Sequence, residues 1–203
     1  MPLLIRDPSP RSDASRGSRT GAPAQLLNLF PTLASLAQAP PALGVQGVDM
    51  TPLFEAAPGS AAAAAAAALA ALPGGGGAFS QQAKCYQKDA PTPDPTPAQE
   101  ELTTLMTCEF VDREHMDFMG YSVRTAEWRY TEWARWNGTA LAPRWDALVG
   151  RELYDHRAGV DPWNSENENL VDDAQYKDVV AALKAQLRGH FAVPEMTKKT
   201  REA

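Results

Sequence analysis

The sequence predicts an α+β fold, an antiparallel sheet with one packed helix toward the C-terminal end, preceded by one strand and one helix of α/β character. Three observations predict it. Residues Met116 to Trp136 concentrate Phe118, Met119, Tyr121, Val123, Trp128, Tyr130, Trp133 and Trp136, side chains that favour a pleated, half-buried surface. Tyr176, Val179, Val180, Leu183 and Leu187 recur at helical spacing near the other end. Pro2-Leu-Leu-Ile-Arg6, closed by Asp7-Pro8, is the short apolar run of a parallel strand buried on both faces.

After that first strand, Arg11 to Ala22 is rich in Ser, Arg, Gly and Thr with almost nothing to bury, so it is expected as an exposed loop. Leu26, Leu27, Phe30, Leu33, Leu36 and Ala37 then place a helix over 30–38, with Pro31 accepted only near its start. Residues 1–55 make up this first region. Residues 56–77 form a low-complexity insert, an alanine run ending in Pro73-Gly-Gly-Gly-Gly77 that offers no packing face and is expected to be disordered.

The second region is residues 78–192, interrupted by a proline-rich, PPII-like connector over 89–100. Ordered structure is expected to resume near Met116. A hairpin follows, Met119 to Thr125 and Trp128 to Arg135, turning near Ala126-Glu127. Asn137 to Gly150 leads to a third strand, Glu152 to Asp155, and a polar loop runs through Asp161-Pro162 to Asn169. Asp172 or Asp173 caps the last helix by accepting from its first N–H groups, Gly189 suits its C-cap, and residues 193–203 are a frayed tail.

Composition narrows the function. The chain has 203 residues with 19 Lys and Arg against 25 Asp and Glu, a net charge of −6, which gives no electrostatic footprint for phosphate backbones or anionic membranes and disfavours a nucleic-acid partner. Ala61 to Leu72 comes nearest to a membrane span, but it is too short and alanine too weakly apolar, so no membrane role is expected. The first residues lack the apolar stretch of a secretory signal. Cys85 and Cys108 fit neither a CxxC redox pair nor a zinc spacing; they are open to one disulfide or to two isolated thiols.

No nucleophilic or metal constellation emerges. His115, His156 and His190 lie far apart, outside any HExxH or Cys/His pattern, and read as loop residues, although Asp155 could orient the His156 imidazole. Gly120-Tyr-Ser-Val-Arg124 lacks the second glycine of a nucleophile elbow, and Gly74 to Gly77 lacks the Lys-Ser/Thr of a phosphate loop. Asp161, Glu166, Glu168, Asp172 and Asp173, with Asn164, Asn167 and Asn169, have oxygens enough for calcium but not the EF-hand order, and read as a solvated turn and helix cap. Trp128, Arg129, Tyr130, Arg135 and Trp136 could stack sugars or single-stranded bases, against the blander reading of a sheet core with an aromatic edge. Asn137-Gly-Thr139 is a sequon between two expected strands, which makes Asn137 a possible glycosylation site.

Several stretches in succession resemble one family: Pro2-Leu-Leu-Ile, Leu29-Phe-Pro-Thr-Leu-Ala-Ser-Leu-Ala37, Gly47-Val-Asp-Met-Thr-Pro-Leu-Phe54, Ala78-Phe-Ser-Gln81, Met119-Gly-Tyr-Ser-Val-Arg-Thr125, Trp128-Arg-Tyr-Thr-Glu-Trp133 and Glu152-Leu-Tyr-Asp-His156. The series is similar to the C-terminal part of iduronate-2-sulfatase and its sulfatase relatives, and the loop from Asp161 through Leu170 into the final helix is similar to that family's ending. The resemblance implies a smaller C-terminal subdomain over 78–192 and, in residues 1–55, a remnant of the large alkaline-phosphatase-like α/β domain. In such enzymes the nucleophile is a formylglycine made from a Cys-x-Pro-Ser-Arg motif and calcium neutralises the sulfate. Neither Cys85, followed by Tyr-Gln-Lys-Asp, nor Cys108, followed by Glu-Phe-Val-Asp, matches that motif, so no catalytic residue carries over and the chain alone is expected to be inactive. The implied partner is an N-terminal catalytic half, and the implied family substrate a sulfated carbohydrate. The alternative is a non-catalytic carbohydrate-binding or scaffold module; compartment is left open.

Overall fold

A computed structural model describes residues 3–7, 17, 22–40, 44–53, 76–85, 108, 111–157, 159–160 and 166–192. Most of the expected insert over 56–77, the connector over 89–100 and the tail over 193–203 lie outside the described residues, as does most of the loop from Arg11 to Ala22. Contacts divide the chain into two units, one within Met1–Ala78 together with Arg124–Ala126, the other within Phe79–Val123 and Glu127–Ala203.

In the first unit a short 3-10 turn, Leu26–Asn28, leads into helix α1, Leu29–Leu36. The helix ends two positions before the expected 38, where Gln38 turns left-handed at φ 55°. Its inward side is polar. The Thr32 hydroxyl donates to the Asn28 carbonyl at 2.6 Å, the Met50 N–H donates to Thr32 Oγ1 at 2.9 Å, and the Val48 N–H donates to Asn28 Oδ1 at 3.2 Å. Gly47 is required here, because a Cβ would sit 1.8 Å from the Leu27 carbonyl oxygen. The apolar side chains of the same segment face outward: Leu26 is 72% exposed, Leu27 56%, Phe30 59% and Leu33 54%.

Of the strand expected over Pro2 to Arg6, the described residues Leu3–Arg6 form none. Leu3–Asp7 carries no ladder pairing, and Leu4 is 92% exposed. A doubly buried parallel strand needs a neighbour on each edge to satisfy its backbone, and none lies beside this segment among the described residues.

The second unit holds a four-stranded antiparallel sheet in the order β1-β2-β3-β4, with β1 Ala78–Lys84, β2 Phe118–Arg124, β3 Trp128–Asn137 and β4 Ala142–Asp155. The β2–β3 hairpin falls where the aromatic alternation places it. The third expected strand proves to be the end of a 14-residue strand, twice interrupted in its pairing with β3. Ala134 pairs with Leu148 while Trp133 pairs with Gly150, and Arg135 pairs with Arg144, so Val149 and residues 145–147 are bulged out. The bulge is why the stretch after Asn137 does not alternate like a strand. It also frees Trp145 to pack on Tyr121, with ring centroids 5.0 Å apart.

Helix α2, Lys177–His190, covers one face of this sheet. The Asp173 carboxylate accepts from the Gln175 N–H at 2.8 Å and starts it through a 3-10 turn, Ala174–Tyr176, as the capping pattern predicts. Val180, Leu183 and Leu187 join Phe79, Met119, Tyr121, Val123, Trp128, Tyr130, Leu153 and Val171 in one buried core. Each such side chain contributes about 1.5–3 kcal/mol on burial, enough to hold helix to sheet. The C-cap expected at Gly189 is corrected: the helix runs through it to His190, and Phe191 donates its N–H to the Leu187 carbonyl at 3.2 Å. That continuation places the Phe191 ring 4.6 Å from Tyr121. Among the described residues no helix is long and apolar enough to cross a membrane.

Cys85 and Cys108 are joined in a disulfide, which resolves the two open readings of these residues and ties the end of β1 to the chain 23 residues on.

Candidate functional site

Two clusters of charged side chains stand out among the described residues of the second unit. On the helix-covered face, Glu132 is fully buried on β3, and Arg188 of α2 reaches it in a fork, Nε to Oε2 at 2.8 Å and Nη2 to Oε1 at 3.2 Å. The Tyr130 hydroxyl donates to Glu132 Oε1 at 2.8 Å, so the carboxylate is surrounded by donors. Burial, then the hydrogen bond and charge of Glu132, push the Tyr130 phenol far above its ordinary value and keep it a donor; burial alone pushes Tyr121 up to about 12. Arg188 also lies over the Trp145 ring, 4.9 Å from its centroid. This cluster joins helix to sheet.

The second cluster lies where the ends of β3 and β4 meet the loop entering α2. Glu166 accepts from Arg129 Nη1 at 2.6 Å through Oε2 and contacts His156 Nε2 at 3.0 Å through Oε1. Partial burial raises the Glu166 carboxyl, but the Arg129 hydrogen bond and charge, with His156, outweigh it and hold the group below the usual carboxylate range. The Asp155 carboxylate takes Arg157 in a fork, at 3.0 Å from Nε and 2.6 Å from Nη2, and that hydrogen bond lowers its pKa. Glu166 thus holds the His156 ring at Nε2, while the Asp155 carboxylate is forked to Arg157. Arg157 in turn sits 4.7 Å above the Trp128 ring centroid.

Asn169 fixes the loop to the sheet. Its Oδ1 accepts from the Leu153 N–H at 3.0 Å and the Val171 N–H at 3.2 Å, its Nδ2 donates to the Arg151 carbonyl at 3.0 Å, and the Leu170 N–H donates to the Leu153 carbonyl at 2.9 Å. One amide thus satisfies three backbone groups at the close of β4.

The remaining residues singled out in the sequence are scattered. His115 is exposed beside Asp112 at 4.0 Å, and His190 stacks on Phe79 with centroids 3.7 Å apart, its pKa lowered by desolvation. In Gly120-Tyr-Ser-Val-Arg124, the Ser122 hydroxyl is buried in the sheet, donating to the Tyr130 carbonyl at 3.3 Å and accepting from Thr131 Oγ1 at 3.0 Å. Trp128 and Tyr130 are buried in the core, which makes them sheet core rather than a stacking surface. Of the acidic run, Glu166 holds Arg129, Asp172 accepts from Arg151 at 2.8 Å and Asp173 caps α2; Asp161 and Asn164 lie outside the described residues. Among the described residues no group of three or more His, Cys, Asp or Glu side chains is arranged to hold a metal ion. Asn137 is exposed at the end of β3. The Glu132–Arg188 and Arg129–Glu166–His156 clusters escaped the sequence reading because their members are 56, 37 and 10 residues apart.

Among the solved structures similar to this chain are a candidate sulfatase from Bacteroides thetaiotaomicron VPI-5482 and a 2-O GAG sulfatase. Each is 18% identical with a TM-score of 0.45, and each match covers 81% of this chain. The chain spans 24% of the length of either. No family model and no curated protein matches the sequence.

Proposed function

We propose that this chain is the C-terminal part of a sulfatase resembling iduronate-2-sulfatase, with 78–192 as its smaller subdomain and 1–55 as a piece of its large domain. The observation that carries the reading is the succession of family-like stretches along the elements: Ala78 to Gln81 opens β1, Met119 to Thr125 covers β2, Trp128 to Trp133 opens β3 and Glu152 to His156 closes β4. The inverted helix α1 supports it. A helix that turns Asn28 and Thr32 inward and leaves Leu26, Phe30 and Leu33 in solvent has its apolar stripe on the wrong side for a self-contained domain, and fits one that another layer of protein covers.

In that role the chain supplies architecture rather than the reaction. Cys85 and Cys108 are bonded to each other, so neither has a thiol to convert to formylglycine, and Glu166, Asp172 and Asp173 are each engaged by protein donors. These residues do not fit the family's nucleophile and calcium site, and no step of sulfate-ester cleavage is assigned to them. The catalytic half and a sulfated carbohydrate substrate belong to the whole protein.

Sequencing the transcript through and beyond the codon for Met1 tests the reading. An in-frame Cys-x-Pro-Ser-Arg or Ser-x-Pro-Ser-Arg is expected on the 5′ side. A transcript whose only open frame begins at Met1 would overturn it.

A further inference from the structure

We infer that Asn137 is an N-glycosylation site and that the second unit is built for an oxidising, secretory environment. The inference rests on local geometry and on the disulfide, and it stands independently of the sulfatase reading. Asn137-Gly-Thr139 is the only Asn-x-Ser/Thr sequence in the chain. It falls at the tip of the β3–β4 hairpin, where Asn137 pairs with Ala142 as the last residue of β3, and Asn137 and Thr139 are both exposed.

The tip holds the acceptor amide in a defined pose. Asn137 Oδ1 accepts from the Thr139 N–H at 3.1 Å and from the Ala140 N–H at 3.0 Å, an Asx turn in which both bonds fall on the oxygen. Nδ2, the atom that would carry the sugar, takes no hydrogen bond among the described residues. The turn is anchored from behind: a Cβ at Gly138 would lie 1.8 Å from the Glu114 carbonyl oxygen, and Trp136 Nε1 donates to the Arg113 carbonyl at 2.7 Å. Trp136 and Gly138 are thus held against Arg113 and Glu114, while Asn137 is exposed. In the transfer, Nδ2 bonds to the anomeric carbon of an oligosaccharide, a lipid-linked diphosphate leaves and the amide loses one proton. No oxidant or reductant takes part.

The independent observation is the Cys85–Cys108 disulfide. Such bonds persist in the compartments where sequons are glycosylated and are rare where thiols are kept reduced. Both cysteines of the chain are consumed by it, which leaves no free thiol to be trapped on that route.

The full chain, directed into the secretory pathway of a eukaryotic host by a cleavable leader, tests the inference. Peptide mapping is done on cell-associated and secreted material together, with cysteine state read by alkylation without reductant. Expected is conversion of Asn137 to Asp on enzymatic deglycosylation, a one-glycan mass shift abolished in Asn137→Gln and in Thr139→Ala and kept in Thr139→Ser. An unmodified Asn137 in material whose cysteines are oxidised would overturn the proposal, and so would cysteines that stay reduced along that route.

Discussion

Arg188 of α2 and Glu132 of β3 form a forked ion pair across the helix–sheet interface, and the Glu132 side chain is wholly enclosed. Removing the arginine leaves a buried carboxylate without its countercharge, which costs about 3–5 kcal/mol, whereas replacing both partners with apolar residues of similar volume costs much less. Arg188→Met is therefore expected to lower urea stability by about that amount, and Glu132→Leu with Arg188→Met, made in a Tyr130→Phe background so that no buried hydroxyl loses its acceptor, to recover most of it. Equal loss in the single and double variants would show that the pair does not hold the helix.

Gly120 on β2 lies under the Trp133 ring. An alanine Cβ there would come within 2.5 Å of Cζ3, and the ring cannot withdraw freely because its Nε1 donates to Glu152 at 2.9 Å. Gly120→Ala is expected to destabilise the sheet by about 1–3 kcal/mol, the usual cost of overpacking. Adding Trp133→Phe, a smaller ring, should return part of that loss. Chemical denaturation followed by tryptophan emission reads both.

The Cys85–Cys108 bond closes a loop with a sequence separation of 23, for which the loss of chain entropy in the unfolded state amounts to about 3 kcal/mol. Reduction, or Cys85→Ser with Cys108→Ser, should lower stability by about that much while leaving the far-ultraviolet spectrum of the folded state unchanged. Denaturant midpoints with and without reductant give the answer.

Glu166 and Asp155 both have carboxyl pKa values lowered in the folded state, the first by Arg129 and His156 against burial, the second chiefly by Arg157. A lowered folded pKa means that the unfolded chain binds protons first on acidification. Their contribution is full above the ordinary values of 4.5 for Glu166 and 3.8 for Asp155 and is lost as pH falls through the lower folded values. Stability should thus decline with acid below about pH 4.5, and Glu166→Gln should flatten that slope without changing stability near pH 7 by more than about 1 kcal/mol, since the pair is solvent-accessible. An unchanged slope in the variant would remove Glu166 from the loop's anchoring.

Local patterns made the second unit legible. Aromatic alternation marked β2 and β3, and the Tyr176 to Leu187 spacing with Asp173 as cap marked α2, because each signal is complete within a dozen residues. Strand β4 was foreseen only at its end, since a strand that bulges at Val149 and at 145–147 breaks the alternation that reveals strands. Gly189 misled because its neighbour Phe191 is drawn to Tyr121 and Phe79, and that packing outweighs a local stop signal. The Pro2 to Arg6 run misled for the opposite reason. Its apolar pattern suits a buried strand, but pattern cannot supply ladder partners. The ion-pair clusters depend on register and on the turn of α2 toward the sheet, which no single stretch encodes.

The assignment to a sulfatase is decided by what the native polypeptide does in its own source. An antibody raised against the full chain should deplete an extract of a sulfate-ester hydrolase activity together with a polypeptide longer than 203 residues. Depletion of a polypeptide of 203 residues, with hydrolysis of aryl sulfates and sulfated uronates left unchanged in the extract, would contradict it.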